Sequence, residues 1–180
     1  MSINIHSIAH YSDQSELKYE VYPADNCLVT AFKGENIDCL LIAIQILEEG
    51  RFIQFYTSPL FNIDESIYKG VALQTMLTLS HELKMLRFEY DRTEGTVRAS
   101  IELPLEDNVL SFRQFQRCLR TLYEVVDLYA IPRLSAVLAT GEDPGIRTKE
   151  EELAQWVANS NPETLAMLEQ AIARRKEQET

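Results

Sequence analysis

Residues 87–104 read RFEYDRTEGTVRASIELP. Phe88 and Tyr90 alternate with Arg87, Glu89 and Asp91; Val97, Ala99, Ile101 and Leu103 then alternate with Arg98, Ser100 and Glu102. A period of two is the strand period, and one apolar face against one charged face marks a sheet packed on one side only. Glu94-Gly95 lies between the two runs, and glycine takes the positive φ that a tight turn needs. The stretch therefore predicts an antiparallel hairpin, apolar in and charged out. Pro104 ends it, having no N–H for the ladder.

Upstream of this hairpin the pattern predicts four more strands. Leu40, Ile42, Ile44 and Ile46 line one face of a strand over 38–47; Leu41, Ala43 and Leu47, interrupted by Gln45, occupy the other. Two largely apolar faces predict a central position. Glu48-Glu49-Gly50 turns the chain into a strand over 51–57, ended by Ser58-Pro59. A strand over 27–33 precedes the turn at residues 34–36, and an alternating segment over 17–22 reads as an edge strand stopped by Pro23. Residues 1–16 are polar and weakly patterned, consistent with a short helix or with disorder. Between residues 57 and 87, Asn62 and Glu65 form a predicted capping box. The helix it opens carries Ile67, Val71, Leu73, Met76, Leu77, Leu79, Leu83 and Leu86, and should be covered on more than one side.

Downstream, Ser111 with Gln114 makes a second capping box. Phe112, Phe115, Cys118, Leu119, Leu122, Val125, Val126 and Tyr129 follow at threes and fours, the period of an amphipathic helix. Pro132 should kink or restart it, since proline removes a donor and crowds the turn before it. Leu134, Val137 and Leu138 continue the stripe. Residues 141–145, Gly-Glu-Asp-Pro-Gly, read as a linker. Beyond them Thr148 with Glu151 predicts a third capping box, with Leu153, Trp156 and Val157 on the helix it opens. Asn161-Pro162-Glu163 predicts a last helix start, trailing into Arg174-Arg175-Lys176.

A chain of 180 residues, 46% hydrophobic and 25% charged, suits one domain or one domain with an appendage. The net charge of −11 disfavours nucleic acid and anionic membranes as partners, because both need clustered Lys and Arg. The three cysteines, Cys27, Cys39 and Cys118, are odd in number and lack CxxC spacing, so they read as reduced, mostly buried thiols of a cytosolic protein. Residues 1–11 lack the regions of a signal peptide. The longest apolar run, residues 39–44, is far short of the roughly 18 residues a membrane helix needs.

No phosphate loop, GxSxG or HExxH occurs. His6 and His10 are four apart but lack a third ligand nearby, and His81 falls in an apolar helix. The acid pairs Glu48-Glu49, Asp64-Glu65 and Glu106-Asp107 sit at turns or helix starts, which accounts for them without catalysis. Neither a catalytic site, a metal nor a cofactor is therefore predicted. Two features bear on binding. Arg113, Arg117 and Arg120 share one helix face almost opposite the apolar stripe. They form either a solvated outer face, with Arg120 and Glu124 paired, or a patch for an acidic partner. Phe52, Phe55, Tyr56 and Phe61 cluster around the 51–57 strand, either as core or as a hydrophobic surface for a peptide or a second copy. These seven residues are the candidate partner surface.

The order strand, strand, helix, hairpin, helix over residues 39–138 resembles the YbjN-like family. The resemblance is carried by KMLRFEYD at 84–91, EGTV at 94–97, ELP at 102–104 and the helix over 112–126. It implies an α+β fold similar to type III secretion chaperones, whose members begin with a helix that residues 1–16 do not signal. Family members are described as candidate regulators without established enzymatic activity, and chaperones of this fold dimerise.

The expectation is thus an α+β domain over residues 1–140: a twisted antiparallel sheet with two long helices on one face. A helical C-terminal extension over 141–180 follows, outside the resemblance. The expected role is a non-enzymatic, cytoplasmic, protein-binding module, chaperone-like or regulatory. It should act as a homodimer on a polypeptide client of basic character. The alternatives are a small-ligand sensory domain with a pocket between helix and sheet, and an enzyme assembled from unlinked residues.

Overall fold

The computed structural model describes residues 3–106, 108–145, 156–162, 164, 165, 167 and 174. The chain divides into two compact units, Met1–Asp143 and Pro144–Thr180. The first is α+β. Its seven strands are β1 (Tyr19–Tyr22), β2 (Cys27–Phe32), β3 (Leu40–Leu47), β4 (Phe52–Thr57), β5 (Phe61–Asn62), β6 (Arg87–Asp91) and β7 (Thr96–Pro104). They form one antiparallel sheet in the order β1-β2-β3-β4-β7-β5, with β6 on the other side of β7.

The register follows from the alternation. Leu28 faces Ile44, which faces Phe55, which faces Ile101. All four are buried, and this row is the floor of the core. Buried side chains at this size contribute about 1.5–3 kcal/mol each. The β6–β7 hairpin forms as the alternation predicts, with Gly95 at φ 71 and Val97, Ala99 and Ile101 turned inward. A Cβ on Gly95 would collide with the Asp64 side chain, so the turn excludes other residues by space as well as by φ.

The core row is roofed by α3 (Phe112–Arg120), a π-helical segment (Thr121–Ala130) and α4 (Ile131–Thr140). Ser111 and Gln114 make both bonds of the capping box. Phe115, Cys118, Leu122 and Val126 drop onto the sheet. Pro132 cannot donate to the carbonyl one turn back, and the wider π spacing ahead of it accommodates the missing bond. A fresh α-helix then begins at Ile131, as a restart at Pro132 predicts.

Two expectations are corrected. Asn62 caps no helix. It is the last residue of β5, paired with Thr96, and its side chain accepts from the Asp64 N–H and donates to the Glu94 carbonyl. The ladder holds the backbone extended here, so α2 (Lys69–Glu82) starts later, from Tyr68. Nor is α2 covered on several sides: Ala72, Thr75, Met76 and Leu79 are buried, while Leu77 is 74% exposed and Ile67, just before the helix, 86%. Of the two readings left open for residues 1–16, the helix is the one present: α1 (Ile5–Gln14), whose Asn4 cap accepts from the Ser7 N–H at 3.0 Å. Cys39 is exposed, whereas Cys27 and Cys118 are buried; all three are free thiols.

In the second unit, residues 156–159 are helical, and Asn161 caps the following turn through Thr164 at 2.8 Å. The capping box at Thr148 and Glu151, Leu153, Arg175 and Lys176 lie outside the described residues.

Candidate functional site

Strand alternation gives the sheet a second face, on which Cys27, Gln54 and Ser100 are buried. Side chains at Val29, Ala43, Tyr56 and Ser100 form one cross-strand row of that face; Cys27, Gln45, Gln54 and Glu102 form the next. Leu47, Phe52 and Pro104 make a third. Leu41 is 41% exposed; Leu47, Phe52 and Tyr56 are half-buried. The face is largely apolar over β2, β3 and β4, interrupted by the Gln45–Gln54 pair, and ionic over β6 and β7.

The ionic half is a connected network. Glu89 accepts from the Ser100 hydroxyl at 2.6 Å and from Arg98 at 2.7 Å, and Arg87 bridges Glu89 and Glu102. Gln54 donates to Glu102 at 2.9 Å. Burial pushes the Glu89 carboxyl up, but Ser100, Arg98 and Arg87 outweigh it, and its pKa ends below the usual carboxylate value. The Arg98 guanidinium lies 4.6 Å above the Tyr56 ring, joining the ionic half to the apolar half by a cation–π contact. Burial, above all, raises the Tyr56 phenol.

The seven candidate residues do not form one surface. Phe52 and Tyr56 belong to the outer sheet face. Phe55 is a correction: it is fully buried on the opposite face, with its ring 6.0 Å from Phe115, because adjacent strand residues point to opposite sides. Phe61 is another. The step through Ser58, Pro59 and Leu60 carries it to β5, where it pairs with Val97 and packs half-buried against both core clusters. Arg113, Arg117 and Arg120 are exposed on the helix layer. Arg120 makes the expected pair with Glu124 at 2.7 Å. Arg117 and Arg120 line a trough of about 650 Å³, and Arg113 does not.

Two buried charge clusters were missed. Arg133 sits in an apolar stripe yet is 6% exposed. Its guanidinium grips Asp143 through Nε at 2.6 Å and Nη2 at 3.0 Å, and reaches Glu82 at 2.7 Å. Thr75 donates to the same Asp143 carboxylate. Residues 141–143, read as linker, therefore dock on the first unit. Asp127, 4% exposed, accepts from the N–H groups of Glu35, Asn36 and Ile37 at 2.7–3.0 Å. Gly34 lies so close that any Cβ there would strike the carboxylate. The usable signal in both cases was a lone charge on an apolar helix face.

His6, His10 and His81 are exposed. Among the described residues no group of three or more His, Cys, Asp or Glu could hold a metal ion, and no helix is long and apolar enough to cross a membrane.

No family model and no curated protein matches the chain. Solved structures do. YbjN from E. coli superposes with a TM-score of 0.55 at 8% identity, covering 74% of this chain and 93% of that one. The fold is YbjN-like. A chain of the ExsC–ExsE complex gives a TM-score of 0.49 at 15% identity, covering 72% of this chain and 96% of that one. The YbjN-like fold is the one the resemblance implied. It fixes the sheet and its helix layer but transfers no residue role, so the candidate surfaces stand on the geometry of this chain.

Proposed function

We propose that this chain is a non-enzymatic, chaperone-like or regulatory module that binds polypeptide, and that it works as a homodimer in the cytoplasm. The observation that carries the reading is the outer sheet face. Leu41 and Tyr56, with Leu47 and Phe52 on the far side of the Gln45–Gln54 pair, leave apolar surface on this face, bordered by the Arg87–Glu89–Arg98–Glu102 network. An apolar centre with a charged rim is the anatomy of a protein interface. A two-fold contact through it would place the same rows on both subunits.

The client proposed is an extended segment with alternating apolar and basic side chains. Edge strand β1, only Tyr19–Tyr22 and ended by Pro23, leaves main-chain groups for strand addition. The −11 charge steers basic segments toward the chain, by an attraction that salt screens. Function is assigned to residues 1–143, with the remainder as an extension.

Sedimentation equilibrium and fluorescence anisotropy test the two parts separately. Phe52→Asp and Tyr56→Asp should each convert a dimer to monomers while leaving the fold intact. A short labelled peptide alternating valine and lysine should bind at low salt, bind less at high salt, and bind poorly to the Phe52→Ser/Tyr56→Ser double variant. A monomeric wild type at high micromolar concentration removes the dimer. Binding indifferent to both salt and the double variant removes the client surface.

A further inference from the structure

A second site lies on the helix side of the sheet, remote from Phe52 and Tyr56. The trough that Arg117 and Arg120 line has a volume of about 650 Å³, within the range of small-molecule sites. Its apolar wall is built from Leu17, Phe32, Leu119, Tyr123 and Val125. Phe32 and Tyr123 stack with ring centroids 4.5 Å apart and planes 12° apart. The stacked pair also lines an adjoining hollow of about 320 Å³ that runs along the loop after β2. The apolar pair thus stands as a ridge between two depressions.

The polar groups are few, and their charges can be counted. Arg120 is taken up by Glu124 at 2.7 Å, which neutralises both. Arg117 has no carboxylate partner among the described residues, so the trough carries one uncompensated positive charge. Ser15 and Gln116 line the trough too, but the Ser15 hydroxyl itself is closed off from it.

We propose that this trough binds a small amphipathic carboxylate, with its aliphatic or aromatic body along Phe32 and Tyr123 and its carboxylate on the Arg117 guanidinium. A single negative charge matches the single free cation, and a planar guanidinium pairs with a carboxylate through two parallel hydrogen bonds. The apolar wall requires the rest of the molecule to be water-averse. The site is independent of the sheet face proposed above, so either can fail without the other.

The test is isothermal titration calorimetry of the full chain with decanoate, and with decyltrimethylammonium as the cationic counterpart. Decanoate should bind saturably at one site per chain. Arg117→Glu should weaken it at least about tenfold, the scale of a lost charge-assisted hydrogen bond. Arg113→Glu, on the same helix but outside the trough, should leave it unchanged, and the cation should not bind. Both arginines are exposed, and far-ultraviolet circular dichroism of each variant should overlay the wild type. Three results overturn the proposal: no saturable decanoate binding below its micelle concentration, equal binding of the cation, or equal weakening by Arg113→Glu and Arg117→Glu.

Discussion

Asp143→Ala removes the partner of a buried arginine. Arg133 is 6% exposed and spends two of its donors on the Asp143 carboxylate, whose side chain is 2% exposed. These hydrogen bonds come first among the causes that hold the Arg133 guanidinium above its ordinary pKa. It stays charged in the variant, because arginine does not neutralise at any ordinary pH. Breaking a buried pair from one side costs about 3–5 kcal/mol. Glu82 still contacts Nη1 at 2.7 Å, although its side chain is 36% exposed, so the lower end applies, about 3 kcal/mol. At this chain length that corresponds to a fall in Tm of roughly 6–12 °C. Urea unfolding followed by circular dichroism measures it, with the slope unchanged if only stability is altered. Two fragments sharpen the test: residues 1–145 keep Asp143 and should be more stable than residues 1–140, which should lose as much as Asp143→Ala. A loss below about 1 kcal/mol, the scale of exposed pairs, would refute the view that this carboxylate anchors the end of the first unit.

Asp127→Asn places an amide where the N–H groups of Glu35, Asn36 and Ile37 need an acceptor, and should cost about 1–3 kcal/mol; hydrogen exchange at those three amides should quicken together. Glu89 has a depressed folded pKa, so its contribution is present above the unfolded carboxylate value near 4.5 and is lost as the pH falls through the lower folded value. Glu89→Gln should flatten the acid limb of the stability–pH curve, and an unchanged limb would count against the network. Burial pushes the Cys118 thiol up to about 11 and raises Cys27 as well. A disulfide reagent at pH 8 should therefore titrate one thiol per native chain, Cys39, and all three after denaturation; rapid modification of two or more in the native state contradicts the burial.

What could be read from residues alone was whatever repeats with a clean period. The 87–104 hairpin declared itself because every second residue changes polarity, and the Ser111–Gln114 box because a long apolar stripe follows it at once. The Asn62–Glu65 box had the same local chemistry but lost to the ladder with β7, a tertiary competitor invisible in a short window. The first helix stayed an open alternative to disorder because its inward stripe mixes Ile8 with Ser12, which is satisfied by the Ile8 carbonyl at 3.0 Å and so buries without looking apolar. For the candidate surfaces, alternation placed Phe52 and Tyr56 together and away from Phe55. It could not show which face the helices take. The Arg133–Asp143 clamp was hidden by composition, since an acid between two glycines reads as linker until its partner is located.

The sheet order also sets a schedule for synthesis. Strands β1 to β4 follow one another as a meander and pair with near neighbours. The partner of β4 is β7, whose residues 100–104 lie more than 40 positions downstream of those they meet. Until the ribosome has released them, the hydrogen-bonding edge of β4 is bare. The inner row of Leu28, Ile44 and Phe55 then waits longer still, for the helices beginning at Phe112. Distant pairing slows folding, and an unpaired apolar edge invites pairing between nascent chains. The same four strands that shape the mature surface are thus, until β7 and the helices after it have been made, the part of the chain most in need of protection from its own copies.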